Sequence, residues 1–226
     1  MADVKRRQYD TSRRQERARA NYRAMLDAAI ELLVERGYAE TTLALVAQGA
    51  GVAAPTAYKA FGNKPALVKA AFDYAVAGDD DSVPIYERER AKRILAEPDP
   101  VRKLDIYTEG LLGTLTRSAK LQLVARAAAE TDPQMKDLWE QITSTRHVGM
   151  GLIATNLSKG GHLRRGVSKK EAQDVLWAYT SPELYQLMVL IRGWSAPRYR
   201  RWIFRALVDA LLAEPSFPYL QGDRAV

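Results

Sequence analysis

The sequence contains no cysteine. Disulfide bonds, thiolate zinc sites and cysteine nucleophiles are therefore excluded, and a reducing compartment is a consistent setting. It has only two histidines, His147 and His162, on different segments and in no H-x-x-x-H pair. A G-x-S-x-G elbow is absent, as is a glycine-rich phosphate loop after a strand. The glycines of "SKGGHLRRG" are not followed by Lys-Ser/Thr. Carboxylates are plentiful, yet no recognisable spacing pairs them. No enzymatic activity, cofactor or metal site is expected. No apolar run reaches the roughly 18 residues that cross a bilayer. The first residues are charged and hold no apolar stretch of the signal-peptide kind. A cytoplasmic protein without a membrane partner is the expectation.

What is present is an ordinary globular composition with a basic bias. Hydrophobic residues make up 47% of 226, enough for a sizeable core. Lys and Arg number 34 against 27 Asp and Glu, a net charge of +7. The excess is concentrated at one end. Residues 1–25 hold eight basic groups (Lys5, Arg6, Arg7, Arg13, Arg14, Arg17, Arg19, Arg23) and three acidic ones (Asp3, Asp10, Glu16), so eight minus three gives +5. Such an arm, assigned here to residues 1–20, is either an electrostatic handle for phosphates or a solvated tail.

Apolar residues recur with helical period nearly everywhere. From Arg17 to Arg36, Tyr22, Leu26, Ala29, Ile30 and Leu33 share one face. Gly37 stops that helix. Thr41 or Thr42 opens a second, through about Gly49, and a short third runs over about Ala54–Ala60. Gly62-Asn63 then ends one helix and starts another, to about Ala77. The "GDDDSVP" stretch at 78–84 reads as a polar break and a solvated connector. Further helices are expected over 85–97, 101–118, 121–130 and, from Asp132-Pro133, to about Ser158. Ser168 and Glu171 form a capping box opening a helix to about Arg192, with a kink at Pro182. A last helix covers about Pro197–Glu214. No β-strand, repeat or low-complexity tract stands out, so the fold class is all-α.

One stretch carries a motif. In "VAQGAGVAAPTAYKAFGNKPAL", residues 46–67, two short helices flank Gly51. Gly51 supplies the left-handed residue for a sharp reversal, and Val52 plugs the angle between the helices. Ala57 and Phe61, four apart, face inward. Ala54, Pro55, Thr56, Tyr58 and Lys59 are left outward. This is a helix-turn-helix, though any αα-hairpin could show a glycine turn. The second helix of such a pair enters the DNA major groove. Small Ala53 and Ala54 permit close approach. Pro55 lies in the first turn, where its missing N–H costs nothing, and offers its ring to an apolar base edge. Tyr58 and Lys59 reach flanking phosphates. Lys64 starts the next helix, where N–H groups also favour an anion.

The stretch "RAMLDAAIELLVERGYAETTLALVAQGAGVAAPTAYKAFGNKPALVKAAFD" closely resembles the N-terminal domain of the tetracycline-repressor-like (TetR/AcrR) family. Gly37-Tyr38, Thr42, "VAQGAGV", Tyr58, Phe61, Lys64 and Leu67 carry the match. The resemblance implies that Thr42, Thr56, Tyr58, Lys59 and Lys64 touch double-stranded DNA, with Ala54 and Pro55 close to bases. It implies a three-helix DNA-binding domain over 21–66 and a larger helical domain over 67–226 that dimerises and binds a small effector. It also implies a repressor of a near-palindromic operator, released when the effector binds. A nucleoid-type binder without ligand control is the other reading of the same helices. The family usually has Ser or Thr where Ala53 stands, to cap the reading helix.

Residues 85–226 hold all four tryptophans. The stretch "LWAYTSPELYQLMVLIRGWSAPRYRRWIFRALVDALL" looks like the family's two final helices. Its apolar residues wrap more than one face, as in helices packed on two sides: the interior of a monomer, or one side against a partner subunit. The dimer reading puts Leu184, Leu187, Met188 and Ile191 at the interface, with Trp202, Ile203, Leu207 and Leu211 from the last helix. Candidate effector residues are Tyr107, Leu111, Trp139 and Ile142, then Arg146, Met150, Trp177 and Tyr185. Aromatic and Met side chains suit an apolar or aromatic ligand, although each also suits an ordinary core.

Overall fold

The computed structural model describes residues 2–81, 83 and 85–213, with backbone alone for 2–12 and 86. The described residues form an all-α fold whose one β feature is an isolated bridge, Leu163 to Leu212. They divide into two compact units, 1–82 with 117–141 and 83–116 with 142–226.

The first unit contains α1 (Ala2–Glu40), α2 (Leu43–Gly49), α3 (Ala54–Phe61) and α4 (Lys64–Ala77). It also takes residues 117–128 of α6 (Pro100–Ala128) and 133–141 of α7 (Pro133–Lys159). Its centre is the apolar stripe of α1, with Met25, Leu26, Ala29 and Leu33 buried against Val46, Ala47, Leu67, Val68 and Ala71. Tyr22 stacks on Phe61 with ring centroids 5.3 Å apart, which fastens α3 to α1. The α1 helix begins well before Arg17. Gly37 still interrupts it, at φ 78° and ψ 178°. Lys5, Arg6 and Arg7 of the basic arm lie outside the residues whose side chains are described.

The acidic break after α4 is not a solvated connector. The Asp80 side chain is 4% exposed. It accepts from Arg19 Nε and Arg23 Nη2, both at 2.5 Å, while Arg19 Nη2 reaches Asp81 at 2.7 Å. Those guanidiniums hold the Asp80 carboxyl far below the usual carboxylate range. Two of the basic groups counted toward a phosphate handle are thereby neutralised within the protein.

The second unit contains a 3₁₀ turn (Ile85–Glu87), α5 (Glu89–Ala96), residues 100–116 of α6 and 142–159 of α7. It continues with α8 (Lys169–Tyr179), α9 (Pro182–Tyr185), a π-helical turn (Gln186–Ile191) and α10 (Ala196–Leu211). Leu104, Leu157, Leu176, Tyr199, Ile203 and Leu207 form its centre. Lys103 is buried there, its ammonium donating to the carbonyls of Ile94, Leu95 and Glu97. It closes the C-terminal end of α5, which explains how a lysine enters a core.

Two helix boundaries differ from the sequence reading. The helices expected over 101–118 and 121–130 are one continuous α6. The Ser118-Ala119-Lys120 interruption in the apolar pattern contains no breaker. Gln122 Nε2 donates to Ser118 Oγ at 2.9 Å, so the buried polar pair satisfies itself. The helix expected from Ser168 to Arg192 is instead broken at Thr180-Ser181. Thr180 Oγ1 donates to the Leu176 carbonyl at 2.6 Å, and Ser181 Oγ accepts from Leu184 N at 3.3 Å. The serine caps a new helix with Pro182 at its first position, so the proline starts a helix rather than bending one.

Candidate functional site

The helix-turn-helix is assembled by its own caps. Thr42 Oγ1 accepts from Leu45 N at 3.2 Å and opens α2. Leu43, Val46 and Ala47 turn inward. An added Cβ on Gly49 would stand 3.3 Å from the Ala28 Cβ, so the glycine permits the close approach of α2 to α1. Gly51 takes φ 66°, and Val52 N returns to the Ala47 carbonyl at 2.9 Å. Helix α3 follows, with Ala57 and Phe61 buried. Asn63 Oδ1 accepts from Ala66 N at 2.9 Å and opens α4.

The outer face of α3 is the candidate nucleic-acid surface. Pro55, Thr56, Tyr58 and Lys59 are exposed, Tyr58 at 52%, and Ala54 is half-buried. Thr42 is exposed at the entrance to α2. Ala53 precedes α3 and makes no side-chain bond to it. Every DNA-contact candidate except Lys64 thus faces outward or lines the helix entrance.

Lys64 is engaged within the protein. Its ammonium donates to the carbonyls of Tyr38 at 2.8 Å and Ala39 at 3.3 Å, and lies 4.1 Å from the Tyr38 ring centroid. It therefore satisfies carbonyls at the end of α1. Tyr38 in turn donates its hydroxyl to Asp132 Oδ2 at 2.7 Å. The other oxygen of Asp132 accepts from Gln134 N and Met135 N and caps α7. Burial and then the Asp132 bond push the Tyr38 phenol up, while that bond holds the Asp132 carboxyl down.

The effector candidates separate into groups. Tyr107, Arg146, Met150 and Trp177 come together in the second unit. Tyr107 donates to Met150 Sδ at 3.1 Å, and Arg146 Nη1 donates to the Trp177 carbonyl at 2.6 Å. The Arg146 guanidinium also lies 4.8 Å from the Trp177 ring centroid. Tyr185 joins through Tyr199, whose ring is edge-on at 5.3 Å. Ile142 is buried and Leu111 half-buried in the same unit. Trp139 belongs to the first unit. Tyr199 and Thr180 are members of this cluster that periodicity did not single out, since each lies among ordinary core positions.

The interface candidates divide in the same way. Leu187 and Ile191, at the π-helical turn, are 52% and 64% exposed, with Leu190 beside them at 40%. Leu184, Met188 and Trp202 are half-buried. Ile203, Leu207 and Leu211 are buried within their own unit and leave no surface for another subunit. A shallow surface depression of about 420 Å³ on α8, lined by Ser168, Glu171, Asp174 and Tyr179 among others, shares no residue with the effector candidates. Among the described residues, no three His, Asp or Glu side chains are grouped to hold a metal ion. No helix among them is long and apolar enough to cross a membrane.

Comparison with known proteins agrees with this geometry. Residues 25–71 match the family model for bacterial regulatory proteins of the tetR family. The chain is 28% identical over 190 residues to the HTH-type transcriptional regulator TtgR of Pseudomonas putida, covering 80% of this chain and 83% of that one. Among solved structures it resembles NalD, the secondary repressor of the MexAB-OprM multidrug efflux pump in Pseudomonas aeruginosa. That match has a TM-score of 0.65 at 20% identity, over 89% of this chain and 100% of the other. It also resembles FadR from Bacillus subtilis, solved in complex with stearoyl-CoA, with a TM-score of 0.66 at 19% identity, over 83% of this chain and 97% of that one.

Proposed function

The chain belongs to the tetR family of bacterial transcriptional regulators, and we propose that it is a homodimeric repressor that leaves its operator when a small molecule binds the C-terminal region. The observation that carries this reading is the outer face of α3. An exposed Pro55, Thr56, Tyr58 and Lys59 stand on a helix fixed by Phe61 against Tyr22. An exposed proline in the first turn of a short helix and a tyrosine one turn on, 52% exposed, present apolar and aromatic surface that a major groove accepts. Pro55 and Ala54 approach base edges. Thr42, Thr56, Tyr58 and Lys59 take phosphates. Lys64 has three N–H bonds and uses two on carbonyls, which leaves one for a phosphate.

Residues 21–66 are proposed to read DNA, and residues 67–226 to bind the effector and a second subunit. The names of the relatives support a ligand-controlled repressor: NalD is a repressor and FadR is described with stearoyl-CoA. A regulator of transcription of this kind would act in the cytoplasm and need no catalysis of its own.

Selection from random duplex DNA tests the reading. Enrichment of a near-palindrome with half-sites about one helical turn apart, or slightly wider, is expected. Binding that shows no preference over random DNA would refute it and favour a nucleoid-type binder.

A further inference from the structure

Inside the second unit, side chains from several helices gather hydrogen-bond donors without matching acceptors. Arg146 of α7 makes its hydrogen bond to a single backbone carbonyl, that of Trp177, and stacks on the Trp177 ring. The indole Nε1–H of Trp177 is itself buried with no partner. Tyr199 of α10 is 0% exposed, and its hydroxyl is buried with no partner. Tyr107 of α6 directs its hydroxyl to the Met150 thioether, a weak acceptor. Arg200 Nε is also unpartnered, but that guanidinium already pairs with Asp105.

Unpartnered buried polar groups are rare in native interiors, and each calls for an explanation. Two of these groups can only donate, the Arg146 guanidinium and the Trp177 indole N–H, and they lie at one spot, while the Tyr199 phenol can donate or accept. Glu183 acts on Arg146 through its charge. The surrounding surfaces, from Tyr107, Met150, Trp177 and Tyr185, are aromatic or soft and apolar.

We infer that the effector is an amphipathic carboxylate whose anionic group is received by Arg146 and Trp177 Nε1, while its apolar body lies against Tyr107, Met150 and Tyr185. This rests on the reading of the C-terminal region as an effector site. A purely apolar or aromatic molecule would leave the donors unmatched. The guanidinium is the natural receiver, since it stays charged when buried and presents a planar fork to a carboxylate. The Tyr199 hydroxyl, unpartnered beside Tyr185, lies along the proposed apolar body rather than at the anionic group.

The test is calorimetric titration of the full-length protein, without DNA. The probes are decanoate and 4-phenylbutyrate, each against its matched primary alcohol. The carboxylate should bind about tenfold tighter or more, as expected for a charge-assisted bond over a neutral one. Arg146→Met should bring the two to parity. Arg146→Lys, which keeps the charge and loses the fork, should fall between, and it serves as the reporter where the Met variant fails to fold. Equal affinity for acid and alcohol, no binding by either acid, or an acid preference that survives in Arg146→Met would each overturn the inference. Failure of the protein to select any operator, with acid preference intact, would instead overturn only the regulator reading.

Discussion

Replacing Ala53 with serine adds one hydroxyl at the entrance to α3. Ala53 holds φ −69° and ψ 142° and makes no side-chain bond to the helix it opens. Another helix of the same molecule shows what is missing. Ser195 opens α10 from φ −66° and ψ 147°, and its Oγ accepts from Arg198 N at 3.4 Å. Both residues are followed by Ala-Pro. The proline has no N–H, so in each case the third helical residue is the donor within reach. At α3 that donor is Thr56 N, which now bonds the Ala53 carbonyl at 2.9 Å. The backbone is therefore already in capping geometry, and no rearrangement is required. A serine cap is worth about 0.5–2 kcal/mol over alanine. The long bond at Ser195 argues for the lower part of that range, about 0.5–1 kcal/mol. In a protein of this size that corresponds to a rise in Tm of roughly 1–4 °C. Thermal and urea melts followed by circular dichroism read it out, with Ala53→Val as the control that adds bulk without an acceptor. An unchanged melting temperature, or the same rise in the Val variant, would refute the capping argument.

Asp80→Asn should flatten the acid limb of the stability curve. The carboxyl is held down by the Arg19 and then the Arg23 hydrogen bonds, from an ordinary value of 3.8. Its contribution is present above that value and lost as pH falls through the lower folded one. Equal slopes below about pH 4 in wild type and variant would contradict it. Tyr199→Phe removes an unpartnered buried hydroxyl, whose burial costs about 1–3 kcal/mol. The variant should melt higher in urea and bind carboxylates less tightly, and a lower midpoint would reveal a native hydrogen bond at that oxygen. Leu187→Glu with Ile191→Glu should convert a species of twice 25.3 kDa into a monomer in light scattering at micromolar concentration. A dimer that persists would move the interface away from the π-helical turn.

Caps and turns were legible in the sequence because they are contacts within three or four residues. Thr42, Asn63, Ser168 and Gly51 needed only local chemistry. The outer face of α3 was legible for a related reason: the helical period that buries Ala57 and Phe61 leaves Tyr58 and Lys59 outside. Contacts between distant segments carry no such signal. Asp80 meets Arg19 across 61 positions, and Tyr38 meets Asp132 across 94. Lys64 shows how this matters at the site. Position and resemblance pointed it at a phosphate, but the end of α1 returns 25 and 26 residues earlier in sequence and occupies two of its hydrogens. Aromatic residues in the second unit were illegible in another way. A buried tyrosine that packs and one that awaits a partner have the same period, and only the unmatched hydroxyl of Tyr199 separates them.

Several places depart from local consistency, and two of them fall on the surfaces the proposed function uses; α5 also opens without a side-chain cap, at Arg88, and Arg200 Nε is unpartnered too. Thr42, Asn63, Ser168, Ser181 and Ser195 each offer a side-chain acceptor to the helix they precede, whereas Ala53, at the reading helix, does not. Most buried polar groups of the second unit find partners, down to the Lys103 ammonium, whereas Trp177 Nε1 and the Tyr199 hydroxyl do not. Departures of this kind concentrate where a sequence serves something other than its own stability. An uncapped α3 entrance, with only small side chains, allows a DNA backbone to approach more closely than the Ser or Thr usual in the resembled family would. Unmatched donors in the second unit leave a deficit that an acceptor-bearing effector removes, and binding that removes it favours whichever arrangement of the helices holds the effector. If Ala53→Ser and Tyr199→Phe both stabilise the protein while weakening DNA or effector binding respectively, the two departures are functional. If both stabilise it with binding intact, they are simply unoptimised positions, and the link from local strain to function fails.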